Sequence, residues 1–287
     1  MRPLFFLSLL APAFVLASEE GVNPKATDLF ELGGIPVSNS ILTTWILTAL
    51  IILAIRVLVG TPKIVPSKGQ ALVENMASGL RDALEPIVGK SMIGKVFPTL
   101  CGFFVFILLM NWSGLLPGVG TIKYGEPGHW LDAIRPATSD LNTTLALSVI
   151  SFVAWTYFVL RYAGFKVLIF DLFGNKADKK ELSFPMWIMF PMWIMLSFIF
   201  LGVGGIEVVS IAFRLISLSF RLYGNVFGGE NLIHALGGIA PYVIPAVAGL
   251  LEVLVGLIQA FVFTLLSAVY IGLICNHEGG HDDEHAH

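Results

Sequence analysis

The sequence predicts an all-α polytopic membrane protein with about five transmembrane helices. Three observations predict it. Hydrophobic residues make up 56% of the 287 positions and charged residues only 13%, about half the charge of a typical soluble domain. Four apolar stretches, at about 41–59, 96–116, 141–160 and 245–274, approach or exceed the roughly 20 residues needed to cross a bilayer. A fifth, at about 206–236, carries sparse polar groups at helical spacing. Soluble-enzyme classes are excluded, and a net charge of −3 leaves no basic footprint for nucleic acid.

The chain opens MRPLFFLSLLAPAFVLASEE, with Arg2 ahead of a short apolar run and Val15-Leu16-Ala17 fitting a small-residue cleavage site. Residues 1–17 therefore read as a signal peptide, leaving 18–287 as a single membrane domain. The first span carries only Arg56, near its end. Next, Ala71, Leu72, Met76, Leu80, Leu84 and Ile87 recur at helical spacing among Glu74, Arg81, Asp82 and Glu85. That pattern predicts an amphipathic helix over about 69–90, lying on the membrane surface or packed on a partner. The second and third spans hold no charge, and the last holds only Glu252. Cys101 and Cys275 fall in apolar runs and read as packing residues. Residues 184–195 spell FPMWIM twice in tandem. Pro185, Pro191, Gly202, Gly204 and Gly205 are helix breakers, so 184–205 is expected to be interfacial or re-entrant. The two C-terminal helices should then be long, tilted and richest in polar groups.

Basic residues set the orientation. Arg56, Lys63, Lys68, Arg81, Lys90 and Lys95 follow the first span, and Arg161, Lys166, Lys176, Lys179 and Lys180 follow the third. Only Lys123 and Arg135 lie between spans two and three. The expected topology is N-terminus outside and C-terminus cytoplasmic, with 277–287 a solvated acidic, His-rich tail.

Residues 215–234, LISLSFRLYGNVFGGENLIH, place Arg221 inside a lipid-like segment with no acidic residue within eight positions. A guanidinium cannot escape burial by losing its proton, and at a bilayer centre it costs about 3 kcal/mol on insertion scales. Its counter-charge is expected from another chain or a bound ion. Glu207, Arg214 and Arg221 are each seven residues apart and share a helix face, and Ser217 and Asn225 lie four residues either side of Arg221. Glu230 is nine residues on, about 13 Å up the axis and on the opposite face, with His234 one turn beyond it. In the last span Glu252 and Gln259 are seven apart. Antiparallel packing would bring Glu252 towards Glu230 and Gln259 towards the depth of Arg221. Titratable groups in the outer half and a fixed cation at mid-depth have the layout of an aqueous proton path ending at a charge barrier. Plain alternatives stay open: Glu207 as a cap, Arg214 as a snorkelling cation, His234 as a packing residue.

Ser219-Phe220-Arg221-Leu222-Tyr223-Gly224-Asn225, then Glu230, Glu252 and Gln259-Ala260-Phe261, resemble subunit a of F-type ATP synthases. Residues 138–145, TSDLNTTL, resemble that family's opening of its third span, and the likeness covers about 98–272. The resemblance implies a non-catalytic stator subunit, without cofactor or metal, in a bacterial inner membrane. It would carry protons, or in some members sodium ions, past a rotating ring of c subunits. A b-subunit stator stalk, other synthase subunits and the lipid bilayer would be its further partners. Arg221 would face the ring. Asn225, Glu230, Glu252 and Gln259 would line an outer half-channel, with His234 an extra titratable group beside it, and Ser217 and Glu207 an inner one. Glu252 stands where some members have histidine, and Asn111-Trp112-Ser113 lacks an acid that some members place there. Two other classes were weighed. A secondary transporter or channel could use Arg221 to bind an anionic substrate, but no inverted repeat is visible. An intramembrane hydrolase would need a nucleophile or metal set, and Glu230-x-x-x-His234 lacks the HExxH order.

Overall fold

The computed structural model describes residues 26–116, 119, 123–124, 131–132, 134–165, 186–237 and 243–275. The signal-like segment and the His-rich tail lie outside them. Among the described residues the helices are α1 (Asn39–Val59), α2 (Lys68–Val88), α3 (Lys90–Trp112), α4 (Leu141–Phe158), α5 (Met186–Gly237) and α6 (Val243–Cys275). Five stretches are long and apolar enough to cross a membrane: Asn39–Val59, Lys90–Leu115, Leu141–Ala163, Gly202–Leu232 and Pro245–Leu273. The protein is an all-α polytopic membrane protein. Two short hairpins accompany the helices, β1 (Asp28–Leu32) with β2 (Ile35–Ser38) and β3 (Lys123–Tyr124) with β4 (Leu131–Asp132). The first turns through Gly33 and Gly34, both at positive φ, as a tight two-residue hairpin turn requires.

Local chemistry starts the helices where the sequence offers caps. The Ser38 hydroxyl accepts from the Ile41 amide to open α1, and the Ser67 hydroxyl accepts from Gln70 to open α2. Asp140 opens α4, taking the Asn142 amide at 3.1 Å and the Ser40 hydroxyl at 3.0 Å. Helix α2 is the expected amphipathic element. Its apolar face, Leu80, Leu84 and Val88, packs on Met92, Ile93, Val96 and Leu100 of α3 and on Ala268 and Ile271 of α6. Gly89, at φ +89°, turns the chain from α2 into α3, a conformation L side chains rarely adopt. Cys101 is a free thiol packed against this cluster.

The expected break over 184–205 is absent. The chain is helical without interruption from Met186 to Gly237, through Pro191, Gly202, Gly204 and Gly205. Each glycine costs about 1 kcal/mol in a helix. Breaking the helix in an apolar medium would strand several backbone groups, at several kcal/mol apiece, so continuity wins. The apolar part of α5, 31 residues long, exceeds what an upright crossing needs and suits an inclined one.

A second core cluster joins α3, α4, α5 and α6 through Phe103, Ile107, Leu147, Leu218, Leu222 and Phe263. Hydroxyls lock the same helices. Ser219 of α5 donates to Ser148 of α4 at 2.7 Å, and Ser151 of α4 meets Ser267 of α6 at 3.1 Å. Glycines set how close α6 comes to its neighbours. A Cβ on Gly256 would sit 3.2 Å from Asn111 Cβ. One on Gly272 would collide with the Ile87 carbonyl at the end of α2. Gly272→Ala must therefore push α2 off α6, at a cost of about 1–3 kcal/mol. A clear fall in the thermal midpoint of the purified protein is expected, and an unchanged midpoint would contradict this packing.

Candidate functional site

Helix α5 presents two chemically different faces. Leu218, Ser219, Leu222 and Val226 are buried on the inner one. The outer one exposes Ile206, Val209, Phe213, Ile216 and Phe220, and it also carries Arg221. Ser217, Gly224 and Gly228 are exposed on the same side as Arg221. Among the described residues Arg221 has neither an ion pair nor a hydrogen-bond partner. A permanently charged group thus stands on an apolar membrane helix with small residues one turn away on either side.

Glu230 faces elsewhere, as its nine-residue offset from Arg221 predicts. Its carboxylate pairs with the Arg135 guanidinium at 3.4 Å, with side-chain exposures of 18% and 6%. Arg135 comes from the connection that leads into α4. In the sequence Arg135 is only a loop charge, and no local pattern signals its partnership with Glu230.

Glu252 is buried, at 8% exposure. Its carboxylate lies where a Cβ on Gly229 would be 3.3 Å from Oε1, and one on Gly114 would be 3.5 Å from the same atom. Gly114 sits in the 3-10 turn Ser113–Leu115 that follows α3, and its absent side chain also leaves room for Pro136. Two glycines on different elements therefore make the niche that admits the carboxylate. Gly229 adjoins Glu230 in sequence, so Glu252 packs against the stretch of α5 that carries Glu230. The Asn111-Trp112-Ser113 stretch leads into Gly114 and ties α3 to α6 beside the niche. Asn111 Nδ2 donates to the Gly256 carbonyl at 3.3 Å, and Trp112 Nε1 to the Val253 carbonyl at 3.1 Å.

Gln259 of α6 and Asn225 of α5 each hold a buried amide nitrogen with no hydrogen-bond partner among the described residues. Such groups are costly to leave unsatisfied, and they mark positions ready to bind water or a passing polar group. Ser217 is exposed near Arg221. The side chains of Glu207 and His234 lie outside the described residues. Arg214 does more than snorkel. Its guanidinium stacks 3.4 Å from the centre of the Tyr270 ring, bordering a cavity of about 50 Å³ that Ser151, Trp155, Leu218 and Ser267 also line.

The Arg135–Glu230 pair carries a prediction. Arg135→Gln and Glu230→Gln should be strongly non-additive in thermal stability, with a coupling of about 0.5–3 kcal/mol. Simple addition of the two effects would show that the pair does not act as a unit.

Comparison with known proteins gives the lineage. The family described as ATP synthase A chain matches residues 41–272, which takes in every described helix but the first residues of α1 and the last of α6. The chain is 30% identical over 247 residues to an ATP synthase subunit a of Moorella thermoacetica, covering 86% of this chain and 95% of that protein. It is equally 30% identical over 247 residues to an ATP synthase subunit a 2 of a Bradyrhizobium species, covering 86% and 93%. With a family match across most of its length and relatives covered almost end to end, the chain belongs to the ATP synthase subunit a family.

Proposed function

We propose that the chain is the proton-translocating stator subunit of a membrane Fo sector, coupling ion flow to rotation of a ring of c subunits. The observation that carries this reading is Arg221, a fixed cation exposed on an apolar helix face with no counter-charge among the described residues. A carboxylate on each passing rotor subunit supplies that counter-charge. To pair with Arg221 the rotor carboxylate must give up its proton, and the fixed charge repels a hydronium that would cross directly. Ser217, Gly224 and Gly228 allow a partner helix to approach closely beside it.

On this reading Glu230, Glu252, Asn225 and Gln259 line the outer half-channel, and Arg135 anchors Glu230 within it. His234 follows Glu230 by one helical turn and is a further titratable group of that path, and Ser217 and Glu207 belong to the inner half-channel. The subunit is not itself catalytic and holds no cofactor. A b-subunit stalk and the remaining synthase subunits complete the assembly in a bacterial inner membrane.

Arg221→Ala should abolish ATP-driven proton pumping while leaving the chain inserted and assembled. Arg221→Lys should fail largely as well, since an ammonium lacks the planar fork and can lose its proton. Dye quenching in membrane vesicles measures both, and near-normal pumping in either variant would overturn the role.

The topology is tested separately. Single cysteines in 161–181 should react with a membrane-impermeant reagent only from the cytoplasmic side, and those in 118–140 only from outside. Labelling of both loops from one side would contradict five spans with the N-terminus outside.

A further inference from the structure

Lys95 and Arg161 stand apart from everything assigned above. Lys95 lies one turn into α3, and Arg161 sits in the π-helical turn Val159–Ala163 that ends α4. Both reach the same aromatic ring. Lys95 Nζ is 4.5 Å from the Tyr162 centroid and Arg161 Cζ is 5.9 Å from it. Both cations are exposed, and among the described residues neither has a carboxylate partner.

The backbone is specialised at this point. The Gly164 amide donates to the Val159 carbonyl at 3.0 Å, closing a turn with one residue more than an α-helix allows. Such π turns are rare and concentrate at functional positions. Tyr162 is held firm by stacking on Phe158, with centroids 6.3 Å apart and planes 16° from parallel, and by packing on the α2–α3–α6 core. The ring is thus a preformed platform, and two like charges converge on it.

Two cations drawn to one ring favour an anion that can pair with both. The location says which one. Lys95 stands near the start of one membrane-crossing helix and Arg161 near the end of its neighbour, so both lie at one membrane surface. Below Arg161 on α4, Val149, Val153 and Tyr157 form an exposed apolar strip at four-residue steps. A free phosphate has no use for such a strip, whereas an acyl chain lies along it.

We propose that Lys95 and Arg161, set on the Tyr162 ring, bind the phosphodiester headgroup of an anionic phospholipid whose acyl chain lies along the exposed strip of α4. Basic pockets between membrane helices bind acidic headgroups by this chemistry. The proposal stands independently of the role of Arg221.

The test uses the assembled complex in mild detergent, titrated with phosphatidylglycerol or with phosphatidylcholine of the same chain length and read by native mass spectrometry. Wild type should retain phosphatidylglycerol preferentially. Lys95→Gln and Arg161→Gln should each cut that preference about fivefold. Lys95→Arg should keep it, and Arg81→Gln, a basic site on α2, should leave it unchanged. On the unmodified complex, a phosphatidylglycerol with a photoreactive headgroup should crosslink to residues 90–95 or 159–165, so the result does not depend on any variant assembling. Equal retention of the two lipids, an undiminished preference in both Gln variants, or crosslinks confined to other regions would overturn the proposal. Displacement of the lipid by millimolar inorganic phosphate would assign the site to a free anion instead.

Discussion

An apolar medium offers no water to a polar group, so each one must find a partner inside the fold or wait for one from outside. Many interior groups of this chain follow that rule, while the Asn225 and Gln259 amide nitrogens are left unsatisfied among the described residues. Ser219 spends its proton on Ser148, Ser151 meets Ser267, and Asn111, Trp112 and Trp155 each donate to a carbonyl of α6. Even the Arg135–Glu230 pair closes within the chain. Arg221 is the contrast. It is a permanently charged group on α5 that faces outward without a partner among the described residues. An open guanidinium on a helix whose inner hydroxyls are paired is the observation on which the proposed pairing with a rotor carboxylate rests.

Missing side chains organise the other half of the site. Between membrane helices there is little hydrophobic driving force, so close contact depends on small residues. Gly256 and Gly272 let α6 settle against α3 and α2, and Gly114 and Gly229 clear the niche that holds the Glu252 carboxylate. Each is a place where the backbone geometry, rather than a reactive group, decides what chemistry is possible. The Glu252 carboxylate then lies against Gly229, one residue before Glu230 and eight residues along α5 from Arg221.

The fold was largely legible because periodicity reports burial directly. Long apolar runs fall in the five helices long and apolar enough to cross a membrane, and the alternation of Leu80 and Leu84 with Arg81 and Asp82 lies on α2. Asp140 was read within the stretch that opens the third span, and it caps α4. Over 184–205 the local signals misled. Proline and glycine report the preference of a helix in water, and the medium reverses the balance. The first hairpin was missed although Gly33-Gly34 signals it, because two strands of four or five residues leave little periodicity to detect.

At the site, the sequence by itself determined which side chains share a helix face, since helical spacing fixes that within one segment. Arg221 with Ser217, and Glu230 turned away from both, follow from counting residues. Contacts between segments belong to the tertiary structure. Only packing decided that Arg135, from a connecting loop, would reach Glu230, that Gly114 and Gly229 would frame Glu252, and that Lys95 and Arg161 would meet at Tyr162. Such partners lie tens to more than a hundred positions apart in the chain. No local pattern encodes a distance that arises only when separate helices are brought side by side.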